Sequence, residues 1–329
     1  MAPLRSLGNP DFSPFDDVFC ATGKRYNHKY VEPADPNYGA RGIWASGYDG
    51  TEYNVIDYIN ISTTGNANDF GDLQHGRRAA GACSNGSRGL WGGGYDVNSG
   101  PFRDEIDYIT TSSTSNATDF GNLSVARYAL SALSNATRGV FCNGQDTNGY
   151  TNIMDYVTIS STGNAVDFGD TTYSGRAIWC LANNSRGLIG GGTPSTDRIE
   201  YIDPSSTGNA SDFGNMTETA CGYTAASTGI DMTRGVYGGG QPSGSTIGYV
   251  TIATTGNATD FGDMHNARQG HGACTNDTRM TSGGGNADSG SSYIVDIEYI
   301  TVATTGNGTD FGDLTVGRWY TAATSGDAS

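Results

Sequence analysis

A pattern of about 48 residues recurs along this chain of 329 residues and limits its fold more than any other feature. Each copy carries an Arg followed by apolar residues, then a Tyr, then the word DFG. The Asp of DFG follows the Tyr by 11 residues in all six copies, as from Tyr58 to Asp69. The next Arg follows by 19 residues in four of five internal steps and by 22 in the other. The Arg-to-Tyr segment varies in length, so variation is concentrated in one connection.

Each copy predicts four short β-strands. The apolar run after the Arg stops at glycines, and the Tyr segment alternates apolar and polar residues, the period of a half-buried strand. The TTGNA segments have turn composition, because Gly and Asn adopt positive φ readily. Helical periodicity is absent. Four strands at this period predict an all-β fold, a six-bladed β-propeller with four-stranded blades.

The two ends of the repeat array predict that the ring is closed. The last copy ends in a first strand at 318–325 that lacks its partners, and the first copy opens at residue 41 on a second strand. Pairing of 318–325 with 41–72 completes one blade and removes the open sheet edges. The chain therefore divides into an extended N-terminal arm at 1–40 and a propeller at 41–329.

Composition excludes several classes of protein. A net charge of −16 and a pI near 4.4 argue against nucleic acid as a partner, because phosphate binding needs a basic surface. We expect a soluble protein with no signal peptide, transmembrane segment or membrane insertion. The six cysteines are scattered without a CxxC pair, which is typical of buried small apolar residues rather than of a disulfide or metal framework. We expect no cofactor and no metal.

The order of Arg, apolar strand, double glycine, variable loop, Tyr strand and TGN turn resembles the kelch repeat over 41–325. The glycines at 92–94, 190–192, 238–240 and 283–285 and the Tyr series carry the likeness, although Phe of DFG stands where kelch repeats usually have Trp. The wording TTGNATDFGDL also resembles kelch-type repeats in structural proteins of tailed bacteriophages. That resemblance implies a virion component used for assembly or host contact, in the tail or associated with the capsid.

Three motifs that resemble catalytic or metal sites are better explained by the repeat. A kinase has a single DFG with a separate Lys, Glu and catalytic Asp, whereas this chain repeats DFG at blade spacing. The recurring DxxD or DxxN turns offer fewer oxygens than the six to eight that calcium takes. With four histidines, the chain has no convergent His and Tyr set for a copper oxidase. A hydrolytic propeller, which needs convergent Arg and carboxylates, stays open as an alternative.

The repeated charged residues are interpreted as structural. Eleven of the sixteen arginines stand at two repeat positions, the six RG residues and a second set of Arg77, Arg127, Arg176, Arg268 and Arg318. We expect them to pair with Asp or to bond carbonyls of the neighbouring blade. The residues assigned to this structural repeat are Arg88, Arg138, Arg186, Arg234, Asp69, Asp119, Asp260 and Asp310.

Function is therefore predicted in the parts that escape the repeat. Ring symmetry places the variable loops on one face, at 47–54, 95–104, 144–152, 193–198, 241–246 and 286–296. Aromatic residues among Asp, Asn, Ser and Gly make an adaptable recognition surface, and the candidates are Tyr48, Tyr53, Tyr95, Phe102, Tyr150 and Tyr293. Solvated loops with incidental aromatics are the alternative.

The arm at 1–40 holds both lysines of the chain and is rich in aromatic residues. The docking candidates are Phe12, Phe15, Phe19, Tyr26 and Tyr30. We predict a non-enzymatic interaction protein of a phage virion. Its arm would dock on other virion subunits, and its loop face would contact a protein or a host surface glycan. The alternative is a stand-alone carbohydrate-binding or hydrolytic propeller.

Overall fold

The structure is a computed structural model that describes residues 39–98, 100–220, 225–228, 233–240, 244–276, 278–287 and 292–327, with only the backbone of 219–220 and 225–228. It also describes the backbone of β1 (Asp17–Phe19) and β2 (Arg25–Asn27), which pair antiparallel. These two strands belong to a compact unit, Met1–Ala34, separate from Asp35–Ser329. Phe12, Phe15 and Tyr30 lie outside the described residues, as do the side chains of Phe19 and Tyr26.

The described residues of 39–327 form six four-stranded antiparallel sheets, the blades, and the strands of each blade are ordered from first to fourth by their pairing. Blade 1 contains β26 (Ala322–Gly326), β3 (Arg41–Ala45), β4 (Val55–Asn60) and β5 (Asn68–Asp72); blade 2 contains β6 (Gly81–Ser84), β7 (Arg88–Gly92), β8 (Glu105–Thr110) and β9 (Thr118–Asn122). Blade 3 contains β10 (Ser131–Ser134), β11 (Arg138–Asp146), β12 (Gly149–Thr158) and β13 (Val166–Gly175); blade 4 contains β14 (Trp179–Ala182), β15 (Gly187–Gly190), β16 (Thr196–Ile202) and β17 (Ser211–Ala220). Blade 5 contains β18 (Ala225–Thr228), β19 (Arg234–Gly238), β20 (Thr246–Thr251) and β21 (Thr259–Asp263); blade 6 contains β22 (Gly272–Thr275), β23 (Arg279–Gly283), β24 (Asp296–Thr301) and β25 (Thr309–Asp313).

The blades close into a ring, which confirms the six-bladed propeller. Each first strand contacts the first strands of the two neighbouring blades, and β26 lies between β22 and β6. The C-terminal β26 pairs with β3, from Ala322 opposite Ala45 to Gly326 opposite Arg41. The closing strand begins at Ala322 rather than at 318, because Arg318 turns inward to Asp57. The predicted loop at 144–152 is also mostly strand, since β11 and β12 extend into it.

Six hydrophobic clusters among the described residues each span two neighbouring blades and make up most of the core. Phe120 of blade 2, for example, packs in one cluster with Val157 and Ile159 of blade 3. The corresponding Phe of every other DFG word is also buried in such a cluster. Burial of a Phe contributes about 1.5–3 kcal/mol. The aromatic residue of DFG therefore holds adjacent blades together.

The turns between the third and fourth strands, Gly-Asn in five blades and Ser-Asn in blade 2, cover the outer edge of each preceding blade. The Asn side-chain oxygen of each turn accepts a hydrogen bond from the fourth strand of the blade before it, at 3.0–3.1 Å. The six pairs are Asn116 with Asp72, Asn164 with Asn122, Asn209 with Asp170, Asn257 with Asn215, Asn307 with Asp263 and Asn66 with Asp313. The same turn adds a backbone bond, as from Gly163 N–H to the Phe120 carbonyl at 2.8 Å. Strand edges that could template aggregation are thus occupied.

The RG arginines stack on aromatic rings and reach the next blade. The guanidinium of each lies 4.3–4.8 Å from the ring centre of its own blade's Tyr, and that Tyr meets the DFG Phe edge-on. The Nη1 of Arg234, for example, donates to the Val302 carbonyl of blade 6 at 2.8 Å. Arg41, Arg88, Arg186 and Arg279 make the corresponding bond to the next blade in the ring. These cations are engaged in blade contacts.

The second set of arginines is buried beside a carboxylate of the third strand. The pairs are Arg77 with Asp107 at 2.9 Å, Arg127 with Asp155 at 3.0 Å, Arg318 with Asp57 at 3.0 Å and Arg268 with Glu298 at 3.3 Å. Burial lowers the pKa of Arg127, because the charged form loses water, and the Asp155 charge opposes that shift. In a second pair, burial raises the pKa of Asp107, and the Arg77 charge opposes that shift. Arg176 departs from this expectation, because Gly175 stands at the buried position and Arg176 corresponds to Arg78 and Tyr128.

Candidate interaction site on the variable-loop face

The variable loops lie beside the connections that join one blade to the next. In most blades the residue after the buried Arg position pairs through its backbone with the loop between the second and third strands. The observed pairs are Arg78 with Tyr95, Tyr128 with Gln145, Arg176 with Thr193, Gln269 with Asn286 and Trp319 with Tyr48. Loops and connections therefore form one surface, the variable-loop face.

A belt of backbone hydrogen bonds holds the connections around the ring axis. Ala79, Ala129, Ala177 and Tyr320 adopt φ of 55°, 52°, 55° and 60°, which costs L-residues about 1–2 kcal/mol each. Their amides bond around the axis, Ala129 to the Ala79 carbonyl at 2.8 Å and Ala79 to the Tyr320 carbonyl at 2.9 Å. Each connection is thereby fixed relative to its neighbours. The side chains that project from these connections consequently have defined positions.

Arg78 lies between two tyrosines on this face. Its guanidinium carbon is 4.2 Å from the ring centre of Tyr48 and 4.7 Å from that of Tyr95. Its Nη1 is 3.6 Å from the carboxylate of Glu52, whose side chain is buried. Cation–π contacts of this kind contribute about 0.5–1 kcal/mol at exposed sites. Arg78 therefore joins a loop of blade 1 to a loop of blade 2.

The same pattern continues into blades 3 and 4. Tyr128 meets Tyr95 at 5.5 Å and Phe102 at 5.4 Å between ring centres. The guanidinium of Arg176 lies 5.5 Å from both Tyr128 and Tyr150. Its Nη1 donates to the Tyr128 hydroxyl and, at 2.7 Å, to the amide oxygen of Gln145. We call the whole set the aromatic–arginine ribbon: Tyr48, Arg78, Tyr95, Phe102, Tyr128, Arg176 and Tyr150.

The structure brings together four of the six aromatic candidates, Tyr48, Tyr95, Phe102 and Tyr150. Tyr53 instead donates its hydroxyl to Asp49 at 2.7 Å. That bond, together with burial, raises the pKa of Tyr53. Tyr293 pairs with Asn286 in blade 6, away from the ribbon.

Three ribbon members were missed from the sequence. Arg78 and Tyr128 directly follow a buried repeat Arg and were not singled out, and Arg176 was assigned to the buried set. Their place in the repeat could have identified them, because all three directly follow the buried Arg position. Each is followed directly by an Ala of the connection, as in Arg78–Ala79, Tyr128–Ala129 and Arg176–Ala177.

The ribbon has the physical properties of a recognition surface. It offers aromatic ring faces, tyrosine hydroxyls and two guanidinium groups, and Tyr150 is 40 % exposed. Tyr and Arg are enriched among residues that dominate binding energy. Tyr also supplies contact area at low cost in conformational entropy. The ribbon runs from blade 1 to the connection between blades 3 and 4, which suits an extended ligand better than a compact one.

The remaining candidate residues are the DFG aspartates and the cysteines. The DFG aspartates Asp69, Asp119, Asp260 and Asp310 are exposed near the outer blade edges, and Asp69 accepts a hydrogen bond from the Gly71 amide at 3.2 Å. Cys83, Cys142, Cys180 and Cys274 are buried free thiols, and burial raises the pKa of Cys83 and Cys274 to about 12. Cys20 and Cys221 lie outside the described residues. Within the described ranges, no three His, Cys, Asp or Glu side chains are grouped to hold a metal ion.

Neither a protein-family model nor a curated protein matches this chain. The six-bladed β-propeller is therefore identified by its own strand pairing and ring closure. In the part of the chain that the structure describes, no helix has the length and apolar character needed to cross a membrane.

Proposed function

We propose that this protein is a non-enzymatic interaction protein that binds its partner through the aromatic–arginine ribbon. One observation carries the proposal. The repeated arginines and the third-strand carboxylates are engaged within or between blades, whereas the ribbon gathers residues outside the repeated words on one face. A propeller fold is compatible with this role, because its rigid ring holds loops of different blades in fixed relation.

The partner proposed for the ribbon is an extended chain, either a host surface glycan or a segment of another protein. Stacking on Tyr95 and Tyr150 suits the apolar faces of sugar rings, and the guanidinium of Arg176 can donate to hydroxyls or carbonyls. A glycan array separates the two sources. Binding that is lost in Tyr95→Ala and Tyr150→Ala variants supports the glycan. Absence of binding on the array, together with ribbon-dependent binding to a virion or host protein, supports the protein segment.

We further propose that the protein is a component of a tailed-phage virion, in the tail or associated with the capsid. The support is the resemblance of TTGNATDFGDL to kelch-type repeats of phage structural proteins. Other virion subunits would be bound by the N-terminal arm, which stands outside the repeat and concentrates lysines and aromatic residues. The Ala40 carbonyl, at the end of the arm, accepts a hydrogen bond from the Ile61 amide of blade 1 at 2.9 Å.

Deletion of 1–34 is expected to abolish incorporation into particles and to leave a folded, monodisperse ring. The reason is that the deletion removes the unit Met1–Ala34 and none of the blade strands. Particle incorporation by immunoblot and circular dichroism of the purified protein measure the two outcomes. A matched variant, Phe12→Ser with Phe15→Ser, keeps the arm length and both lysines and should show the same loss. Normal incorporation of the deleted protein would eliminate docking by the arm and favour a stand-alone carbohydrate-binding or hydrolytic propeller.

A further inference from the structure

The contact between blades 5 and 6 differs from the others at one repeat position. The third residue after the RG arginine is a buried aromatic in blades 1, 2, 3 and 5, namely Trp44, Trp91, Phe141 and Tyr237. Each packs against the preceding blade. Trp44 donates its indole N–H to the Gly272 carbonyl of blade 6 at 3.0 Å, and Trp91 donates to Ala322 of blade 1 at 3.2 Å. In blade 4 the residue is Ile189, packed against blade 3. Blade 6 has Ser282.

A small cavity lies where the aromatic ring would be expected. It is about 10 Å³ and is lined from blade 5 by Gly238, Ile247 and Met264, and from blade 6 by Ser282, His271 and Glu298 among others. His271 directly precedes β22, where blade 2 has Ala80 and blade 3 has Leu130. Ser282 and His271 are each 5 % exposed. Two polar side chains thus occupy positions that blades 2, 3 and 4 fill with apolar ones.

Neither side chain is fully satisfied by the protein. In the described residues, Ser282 Oγ has no hydrogen-bond partner, and the His271 imidazole has none other than the Gly238 backbone, which leaves one ring nitrogen unpaired. An unpaired buried polar group costs about 1–3 kcal/mol. Burial and the nearby Arg268 charge lower the pKa of His271 to about 3, partly offset by the Gly238 backbone. The neutral imidazole then has one donor and one acceptor nitrogen.

The arrangement does not support catalysis, although a Ser, a His and a carboxylate line one cavity. Ser282 and His271 do not bond each other. The Glu298 carboxylate accepts from the His265 amide at 2.8 Å and pairs with Arg268 at 3.3 Å. The cavity is far smaller than the several hundred Å³ of a substrate pocket.

We infer that the contact between blades 5 and 6 is a binding site for a single water molecule, held by His271 and Ser282. A cavity of roughly 10–15 Å³ holds one water, which needs two to four polar partners. The imidazole, the hydroxyl and the lining carboxylate of Glu298 supply that number. The water takes the place of the aromatic ring that stands at this position in blades 1, 2, 3 and 5.

A high-resolution crystal structure of the full chain tests the site directly. The expected result is one ordered water within hydrogen-bond distance of a His271 ring nitrogen and Ser282 Oγ. An empty cavity, or both ring nitrogens of His271 bonded to protein groups, would overturn the inference.

Thermal unfolding of three variants gives a second test. His271→Leu and Ser282→Val each remove one partner of the water and leave the other polar groups of the cavity unpaired, so each should lower Tm. The double variant removes both of these partners and fills the volume, while Glu298 keeps its bonds to the His265 amide and Arg268, so its Tm should return to the wild-type value or exceed it. Leu130→Ile in blade 3 serves as a control for conservative change at the His271 position. If the two single shifts simply add in the double variant, the shared water is contradicted; if the double variant does not fold, the crystal structure decides.

Discussion

An Arg127→Ala variant is expected to lose about 3–5 kcal/mol of unfolding free energy, because truncation leaves a carboxylate buried without its cation. The side chains of Arg127 and Asp155 are 0 % and 1 % exposed, and Nη1 lies 3.0 Å from the carboxylate. Nη2 also donates to the Phe141 carbonyl at 3.2 Å. Removal of Arg127 leaves Asp155 with the amide and hydroxyl of Ser124 as its partners. Denaturant unfolding measures the loss.

Arg176→Ala is the matched control, because the same residue type stands one position away in register, is only partly buried and pairs with no buried carboxylate of the described residues. Its guanidinium lies between Tyr128 and Tyr150 and bonds Gln145, and we expect a loss of about 1–2 kcal/mol. Arg127→Met combined with Asp155→Leu should recover much of the stability, because no charge remains buried. Equal losses for Arg127→Ala and Arg176→Ala would contradict the buried pair.

Truncation before Ala322 should abolish cooperative folding. The deletion removes β26, which pairs with β3 and lies between the first strands of blades 2 and 6. It also removes the carbonyl that accepts from the Trp91 indole and the Ser325 hydroxyl that accepts from the Thr275 amide at 2.8 Å. The exposed edge of β3 then becomes a template for aggregation. Thermal circular dichroism and light scattering would show a lost transition and large particles.

Deletion of residues 327–329 is the control for this truncation. It keeps β26 and removes one described contact, the bond from the Asp327 amide to the Gly86 carbonyl at 2.9 Å. The expected cost is about 0.5–1.5 kcal/mol. A cooperative, monomeric protein truncated before Ala322 would show that ring closure is not required for the fold.

The fold could be predicted because the regular spacing of the repeated Arg, Tyr and DFG residues shows the period of the blades. The 11-residue step from Tyr to DFG sets the pairing of third and fourth strands in every blade, as between Tyr58 and Asn68. Ring closure followed from two incomplete units at the chain ends. The start of β26 was less predictable, because Arg318 and Tyr320 belong to a connection fixed by a buried ion pair and a positive φ of 60°.

The candidate site could be predicted only in part. Tyr48, Tyr95 and Tyr150 stand in loops, which sequence variation in length identifies. Arg78 and Tyr128 stand in connections of constant length, where the direction of a side chain depends on the belt of backbone bonds. Composition does not encode that direction, so the sequence does not show which of two adjacent residues faces the core and which faces the surface.

Blade 4 shows why residue identity alone misleads. Gly175 stands at the position where Arg77, Arg127, Arg268 and Arg318 are buried, and the Glu200 carboxylate accepts from the Thr172 amide at 3.1 Å. Tyr173 donates to the Gly191 carbonyl at 2.7 Å, as the buried arginines do to the corresponding strand in other blades. A Tyr and a Thr thus replace one Arg. The neighbouring Arg176 is therefore part of the ribbon and not of the buried ion pairs.

The central proposal is that the aromatic–arginine ribbon is the binding surface, and quantitative binding of labelled protein to cells of the proposed host tests it most directly. Tyr95→Ala and Tyr128→Ala should each weaken binding by roughly 30-fold, since loss of such residues costs about 2 kcal/mol. Val166→Ser is the control, because Val166 is 51 % exposed at the start of β13, at the opposite end of its blade. Thermal unfolding confirms that each variant is folded. We predict loss for the two ribbon variants and wild-type binding for Val166→Ser; unchanged binding by folded ribbon variants would contradict the proposal.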